Sequence, residues 1–260
     1  MDDLADPGTT RYLQEVVLRV RAILGDELVG AYAGGSLALG GYDPGRSDVD
    51  LAVVCGGRVA GETKLEIVRA LRHEALPCPA RGLELVVYPE STVREATRDA
   101  GYELNLNTGR SMPFHLSLSP GDGGAEHWYG IDRAIVRDRG RALFGPPPDR
   151  LFASMPRGLL LDLLIESLRW HESAGVARED DAVLNGCRAL RYAAEETWSS
   201  KAEAGVWARG QVADAALVSE ALAARSDARR LDHRRVVAFL ERARRSLEAA
   251  AAAHDGSSHS

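Results

Sequence analysis

Gly34-Gly35-Ser36, eleven further residues, then Asp48-Val49-Asp50: this spacing bears most directly on chemistry. The glycines close an apolar run, Leu28 to Ala33, and let the backbone turn sharply and approach a ligand. Backbone amides and the Ser36 hydroxyl in such a turn can cradle a phosphate, the more so if Ser36 opens a short helix. Asp48 and Asp50 stand at the entrance of a second apolar run that ends at Val54. Residues i and i+2 of a strand project from one face, so the two carboxylates point the same way. With nothing basic between them in sequence, they repel unless a cation bridges them. Hard oxygen ligands of this kind suit Mg²⁺, which takes one or two carboxylates together with substrate phosphates. Each piece alone has an ordinary reading, the glycines as a turn and the acids as a strand end or cap. Strand, glycine turn, acid pair and strand, in that order, point to metal-assisted phosphate chemistry.

The elements that must hold these residues are legible from periodicity. Leu13, Val16, Val17, Val20, Ile23 and Leu24 recur every three to four residues, which predicts an amphipathic helix over 9–24. Strands are predicted at 28–33, 49–54 and 83–88, and a helix at 62–75. Residues 102–118 read as extended pieces around a turn at Thr108-Gly109, and 127–138 as a helix. Three consecutive prolines, Pro146 to Pro148, cannot lie inside a helix or a central strand. Beyond them the pattern is helical almost throughout, with segments predicted at 155–173, 181–198, 201–208, 211–224 and 232–253. The expected architecture is α+β: a small mixed-sheet domain over 1–148, an α-helical bundle over 149–254, and a disordered tail over 255–260.

Composition narrows the function classes. The chain has 260 residues, 45% hydrophobic and 27% charged, enough to bury a core without a disulfide or metal staple. No apolar run approaches the ~20 residues of a membrane span. The acidic start, Met-Asp-Asp-Leu-Ala-Asp, lacks the basic region of a secretory signal. Three scattered cysteines fit a reducing cytoplasm and exclude a disulfide framework or a cysteine zinc site. A net charge of −6 speaks against a stable nucleic-acid complex and is more compatible with a small cationic partner. Lysine is nearly absent, only Lys64 and Lys201 standing among many arginines, so each is conspicuous.

Gly35-Ser36 followed by Asp48-Val49-Asp50 resembles the signature of the nucleotidyltransferase superfamily that includes DNA polymerase β. That superfamily carries a third carboxylate on a neighbouring strand, and Glu84, a lone acid in Gly82 to Tyr88, stands at the matching place. The strand around Glu84, the chain length and the helical second half are similar to the aminoglycoside nucleotidyltransferases that adenylylate streptomycin and spectinomycin. So are the segments Asp181 to Arg188 and Ser200 to Ala208. The resemblance runs over roughly residues 25–225.

The resemblance implies an ATP-dependent, Mg²⁺-dependent adenylyltransferase, cytoplasmic and monomeric, conferring antibiotic resistance. ATP is expected in the cleft between the two domains. Gly35, Ser36 and Ser47 are expected at the triphosphate, Asp48 and Asp50 at Mg²⁺ with Glu84 as a third ligand, and Glu84 as general base. Lys201 is expected at the ATP phosphates, a task suited to a point charge. Asp180 and Asp181 are expected to face a cationic aminoglycoside-like substrate, although acids in the first turn of a helix are also favoured by its dipole. Three departures stand out: residues 104–115 and residues 174–179 hold no tryptophan where the family has tryptophans in its substrate cleft, and Arg225 occupies the neighbourhood of a family tyrosine. Transfer to another metabolite, a protein or a tRNA, or a catalytically silent nucleotide-binding regulatory module, remain the alternatives.

Overall fold

A computed structural model describes residues 6–121, 126–173, 178–227 and 229–257. The chain divides into two compact units, Met1–Ser154 and Met155–Ser260. The division falls just beyond the proline run.

The first unit begins with α1 (Pro7–Leu24). Asp6 caps it by accepting from the amides of Gly8 and Thr9, and Pro7 occupies the first helical position, where a missing N–H costs nothing. There follow β1 (Leu28–Ala33), the four-residue α2 (Gly35–Ala38), β2 (Val49–Cys55), α3 (Gly61–Leu71), β3 (Leu83–Pro89) and α4 (Glu90–Val93). The unit continues through β4 (Leu104–Gly109), β5 (Met112–Ser117), α5 (His127–Arg139), β6 (Arg141–Phe144) and α6 (Pro148–Leu151). The strands form a sheet in the order β5-β4-β3-β2-β1-β6. It is mixed: β2 and β3 are parallel, and the other pairs antiparallel.

Alternation along the strands separates two faces. Leu51, Val53, Leu83, Leu85, Leu104 and Leu106 pack with α1 and α3 residues such as Leu13, Val16 and Ile67 in one core. Ala52, Val54 and Tyr88 face the other way and pack with Val136 of α5 and Leu151 of α6. Asp50 and Glu84 lie on this second face, two residues before Ala52 and Val86, so the apolar strand residues fix the acids from below.

The second unit is helical: α7 (Arg157–Ser173), α8 (Glu179–Glu195), α9 (Lys201–Ala208), α10 (Ala215–Asp227) and α11 (His233–Ser257). Leu161, Leu164 and Leu168 of α7, Val183 and Cys187 of α8, and Val236, Leu240 and Leu247 of α11 form its interior.

The differences from the sequence reading have local causes. The helix predicted over 62–75 stops at Leu71, because a turn at Arg72 accepts the amides of Ala75 and Leu76 ahead of Pro77 and Pro79. The β4–β5 hairpin turns at Arg110-Ser111, two residues later than expected. The short edge strand β6 was not expected; four residues between a helix and a proline run carry too little pattern to show. The last helix reaches Ser257, three residues into the expected tail, and 258–260 lie outside the described residues. Of the tryptophans, Trp198 is buried, while Trp170 is 39% exposed. No helix among the described residues is long and apolar enough to cross a membrane.

Candidate active site

The glycine turn and the acid pair meet. The Gly34 amide donates to the Asp50 carbonyl at 3.0 Å, tying the end of β1 to β2. Gly35 has φ +46°, and a Cβ there would lie 1.9 Å from Oδ2 of Asp50. Only glycine satisfies both demands, so the Asp50 carboxylate rests directly against the turn. The Ser36 hydroxyl is buried and has no hydrogen-bond partner among the described residues, as a group aimed at a ligand would be. Ser47 is engaged locally: its Oγ accepts from the Asp43 amide at 3.0 Å.

Asp48 is held by a residue that the sequence reading missed. Arg81 forks onto its carboxylate, Nε to Oδ1 at 2.6 Å and Nη2 to Oδ2. Nothing basic lies between the two acids in sequence, but in the fold Arg81 stands beside Asp48. Arg81 precedes β3 and is brought alongside by the parallel pairing, its amide donating to the Ser47 carbonyl at 3.2 Å. Register, not sequence distance, makes it a neighbour. Among the described residues, no three His, Cys, Asp or Glu side chains are grouped closely enough to hold an ion. The oxygen donors for Mg²⁺ are present in Asp48 and Asp50, with Asp48 turned to Arg81.

Glu84 is paired with Asp50 in the β2–β3 register. Burial, then the charges of Asp50, Asp48 and Asp132, push its carboxyl up to about 8, with Arg81 acting in the opposite direction. Asp132 is a second residue missed in the sequence. It is exposed on α5, one helical turn before Val136, whose Cγ2 lies 3.2 Å from where a Gly34 Cβ would be. A strongly perturbed carboxyl beside a phosphate-type turn is what a proton-transferring site requires.

In the helical unit, Asp180 and Asp181 occupy the first turn of α8, with Glu179 before them. Asp180 is buried. Asp181 is shared by cations from three places: Arg178 Nε at 2.9 Å, Lys201 Nζ at 3.0 Å and Arg225 Nη1 at 3.6 Å. Lys201 opens α9 just after Ser200, which forms a reciprocal capping box with Glu203. Desolvation pulls the Lys201 ammonium below its ordinary range, partly offset by Asp181, while Arg188 and Arg225 reinforce the fall. The surroundings of Asp181 are therefore cationic, the reverse of an acidic pocket. Residues 174–177, also singled out as lacking tryptophan, lie outside the described residues. A separate cavity of about 400 Å³, lined in part by Leu190, Trp207 and Phe239, contains none of the candidate catalytic, nucleotide-binding or acceptor-binding residues.

Residues 150–249 match the family model described as aminoglycoside adenylyltransferase, C-terminal domain. A solved structure, spectinomycin adenyltransferase AAD(9) from Enterococcus faecialis with ATP and spectinomycin, is similar with a TM-score of 0.69 at 15% identity, over 92% of this chain and 99% of that one. At that identity the likeness shows the fold alone. A second structure, described as a toxin-antitoxin with AMP-PNP, covers 62% of this chain and 90% of that one at 16% identity; its TM-score of 0.30 carries no argument. No curated protein matches. The likeness to aminoglycoside nucleotidyltransferases read in the second half of the sequence is matched by the family model there, and the expected α+β architecture is matched by the solved structure's fold.

Proposed function

We propose that this protein transfers AMP from ATP to a hydroxyl of an aminoglycoside or aminocyclitol antibiotic of the streptomycin or spectinomycin kind. One observation carries the reading: Glu84 and Asp50 sit side by side on β3 and β2, with the Asp50 carboxylate against the Gly35 turn and the unpartnered Ser36 hydroxyl next in the chain. The family of the helical unit supports the class of acceptor.

The residues divide the work. The turn at Gly34-Gly35-Ser36 offers backbone amides and a hydroxyl to phosphate oxygens, with Ser47 near the acid pair in sequence. Asp48 and Asp50 offer the oxygen donors that would hold Mg²⁺; when bound, the ion would neutralise phosphate charge. Glu84 takes the proton from the acceptor hydroxyl. The hydroxyl oxygen bonds to the α-phosphorus, the bond from that phosphorus to the bridging oxygen breaks, and pyrophosphate leaves with the electron pair. A carboxyl whose affinity for a proton is raised by burial and by neighbouring acids is a better base for this step than an ordinary one. Lys201, amid Arg178, Arg188 and Arg225, provides positive charge suited to a polyphosphate. Asp180 and Asp181 remain the candidates of the helical unit for the acceptor's amino groups, Asp181 by exchanging the cations it now holds.

The test is a transfer assay with ATP labelled in its α-phosphate against a panel of aminoglycosides and aminocyclitols. Label on streptomycin or spectinomycin, lost on Asp50→Asn, is the expected result. Label on none of the panel overturns the acceptor class.

A further inference from the structure

The acids of the site are the inner half of a longer line. Asp50 pairs with Glu84 across β2–β3, Glu84 with Asn107 across β3–β4, and Asn107 with His115 across β4–β5. Paired residues project from the same face, so four polar side chains cross four strands in one row, at a strand spacing of about 4.8 Å. The next row on this face is Ala52, Val86, Asn105 and Ser117.

The two rows differ in a way that separates structure from function. The second is closed by its own partners. Asn105 Nδ2 donates to the Tyr129 hydroxyl at 2.7 Å, the Tyr102 hydroxyl donates to Ser117 Oγ at 2.9 Å, and the two tyrosine rings pack with centroids 4.9 Å apart. The first row is open. Asn107 is half-buried and His115 exposed, and neither side chain has a hydrogen-bond partner among the described residues. Asparagine is a poor strand former, so neither propensity nor a structural bond accounts for it at position 107. It stands directly beside the carboxyl that takes the acceptor's proton.

We propose that Asn107, with His115 beyond it, positions the acceptor. The attacked hydroxyl lies at Glu84, and a neighbouring hydroxyl or amino group of the same ring hydrogen-bonds to the Asn107 amide. An amide carries both donor and acceptor atoms, so it takes either group, and the acceptor class is a ring bearing adjacent polar substituents. Tryptophan is absent from 104–115, and at position 107 the strand face offers an amide for hydrogen bonding. This inference rests on the transfer reading above.

Asn107→Val and Asn107→Thr test it in the intact protein. The two replacements are close in shape and both suit a strand, but only threonine retains a hydroxyl. With spectinomycin and streptomycin as acceptors, Asn107→Val is expected to raise the acceptor KM about tenfold, the loss typical of one hydrogen bond, with the ATP KM within about twofold of wild type. Asn107→Thr is expected to recover part of that loss. Asn105→Ala is expected to lower Tm without a selective rise in acceptor KM. An unchanged acceptor KM in Asn107→Val, or equal rises in both KM values, overturns the inference while leaving the transfer reading standing. Failure of the wild-type protein to label either antibiotic overturns both, and is seen before any variant is made.

Discussion

At Glu84 catalysis and stability pull in opposite directions. Its carboxyl holds a proton up to about pH 8 in the folded protein, against an ordinary value of 4.5. The folded state therefore binds more protons than the unfolded one between those values. The associated stability is fully present below about pH 4.5 and is lost as pH rises through about 8. Glu84→Gln imitates the protonated form. The expected outcome is a fall in kcat of about 10²–10⁴-fold, together with a Tm a few degrees above wild type at pH 8 and no difference below pH 4.5. Thermal melts in a chelator across that range check the sign. Equal losses of ATP affinity and rate would mark Glu84 as chiefly a metal ligand. Gly35 lies at the opposite extreme, since no side chain can replace it. Gly35→Ala incurs a left-handed strain of about 1–2 kcal/mol and drives its methyl into the Asp50 carboxylate. Both a lowered Tm and loss of transfer are expected, whereas a variant with wild-type turnover would remove Asp50 from the reaction.

At the scale of elements, the cation cluster of the helical unit depends on how α9 starts. Ser200 caps that helix and Lys201 is its first residue. Ser200→Ala should cost about 1 kcal/mol of stability, read from denaturant midpoints at unchanged slope. Asp181 now shares its charge among Arg178, Lys201 and Arg225. Removing that charge in Asp181→Asn should tighten binding of inorganic tripolyphosphate several-fold, and Lys201→Ala should weaken it. Calorimetry showing neither would take the cluster out of nucleotide binding. The elements themselves were largely legible in the sequence. The period of Leu13, Val16 and Val20 gave α1, and the alternation in Val49 to Val54 and Leu83 to Tyr88 gave β2 and β3. What could not be read was register. Arg81 reaches Asp48, and Asn107 reaches Glu84, only because particular strands pair at particular residues. The crowding of cations at Asp181 depends in the same way on contacts twenty and more residues apart. The glycine turn and acid pair were visible because they are local, and one turn of chain holds them together.

For the whole molecule, the net charge of −6 sets the sign of long-range attraction. A polycationic acceptor is drawn toward such a chain, and salt screens that pull over roughly 10 Å at 0.1 M. Acceptor affinity should therefore fall between low and high salt, whereas an affinity independent of salt would indicate that charge plays no part in recognition. The open row on the sheet bears on how such a protein changes over generations. The Asn107 and His115 side chains make no hydrogen bond among the described residues, and the strand backbone beneath them is paired regardless of what they carry. Substitutions at these two positions are therefore accessible to selection without a compensating stabilising change elsewhere. Glu84, Asp50 and Gly35 stay fixed meanwhile. A population exposed to a new drug can retune which ring is accepted at the outer end of the row while inheriting the adenylyl chemistry intact at the inner end.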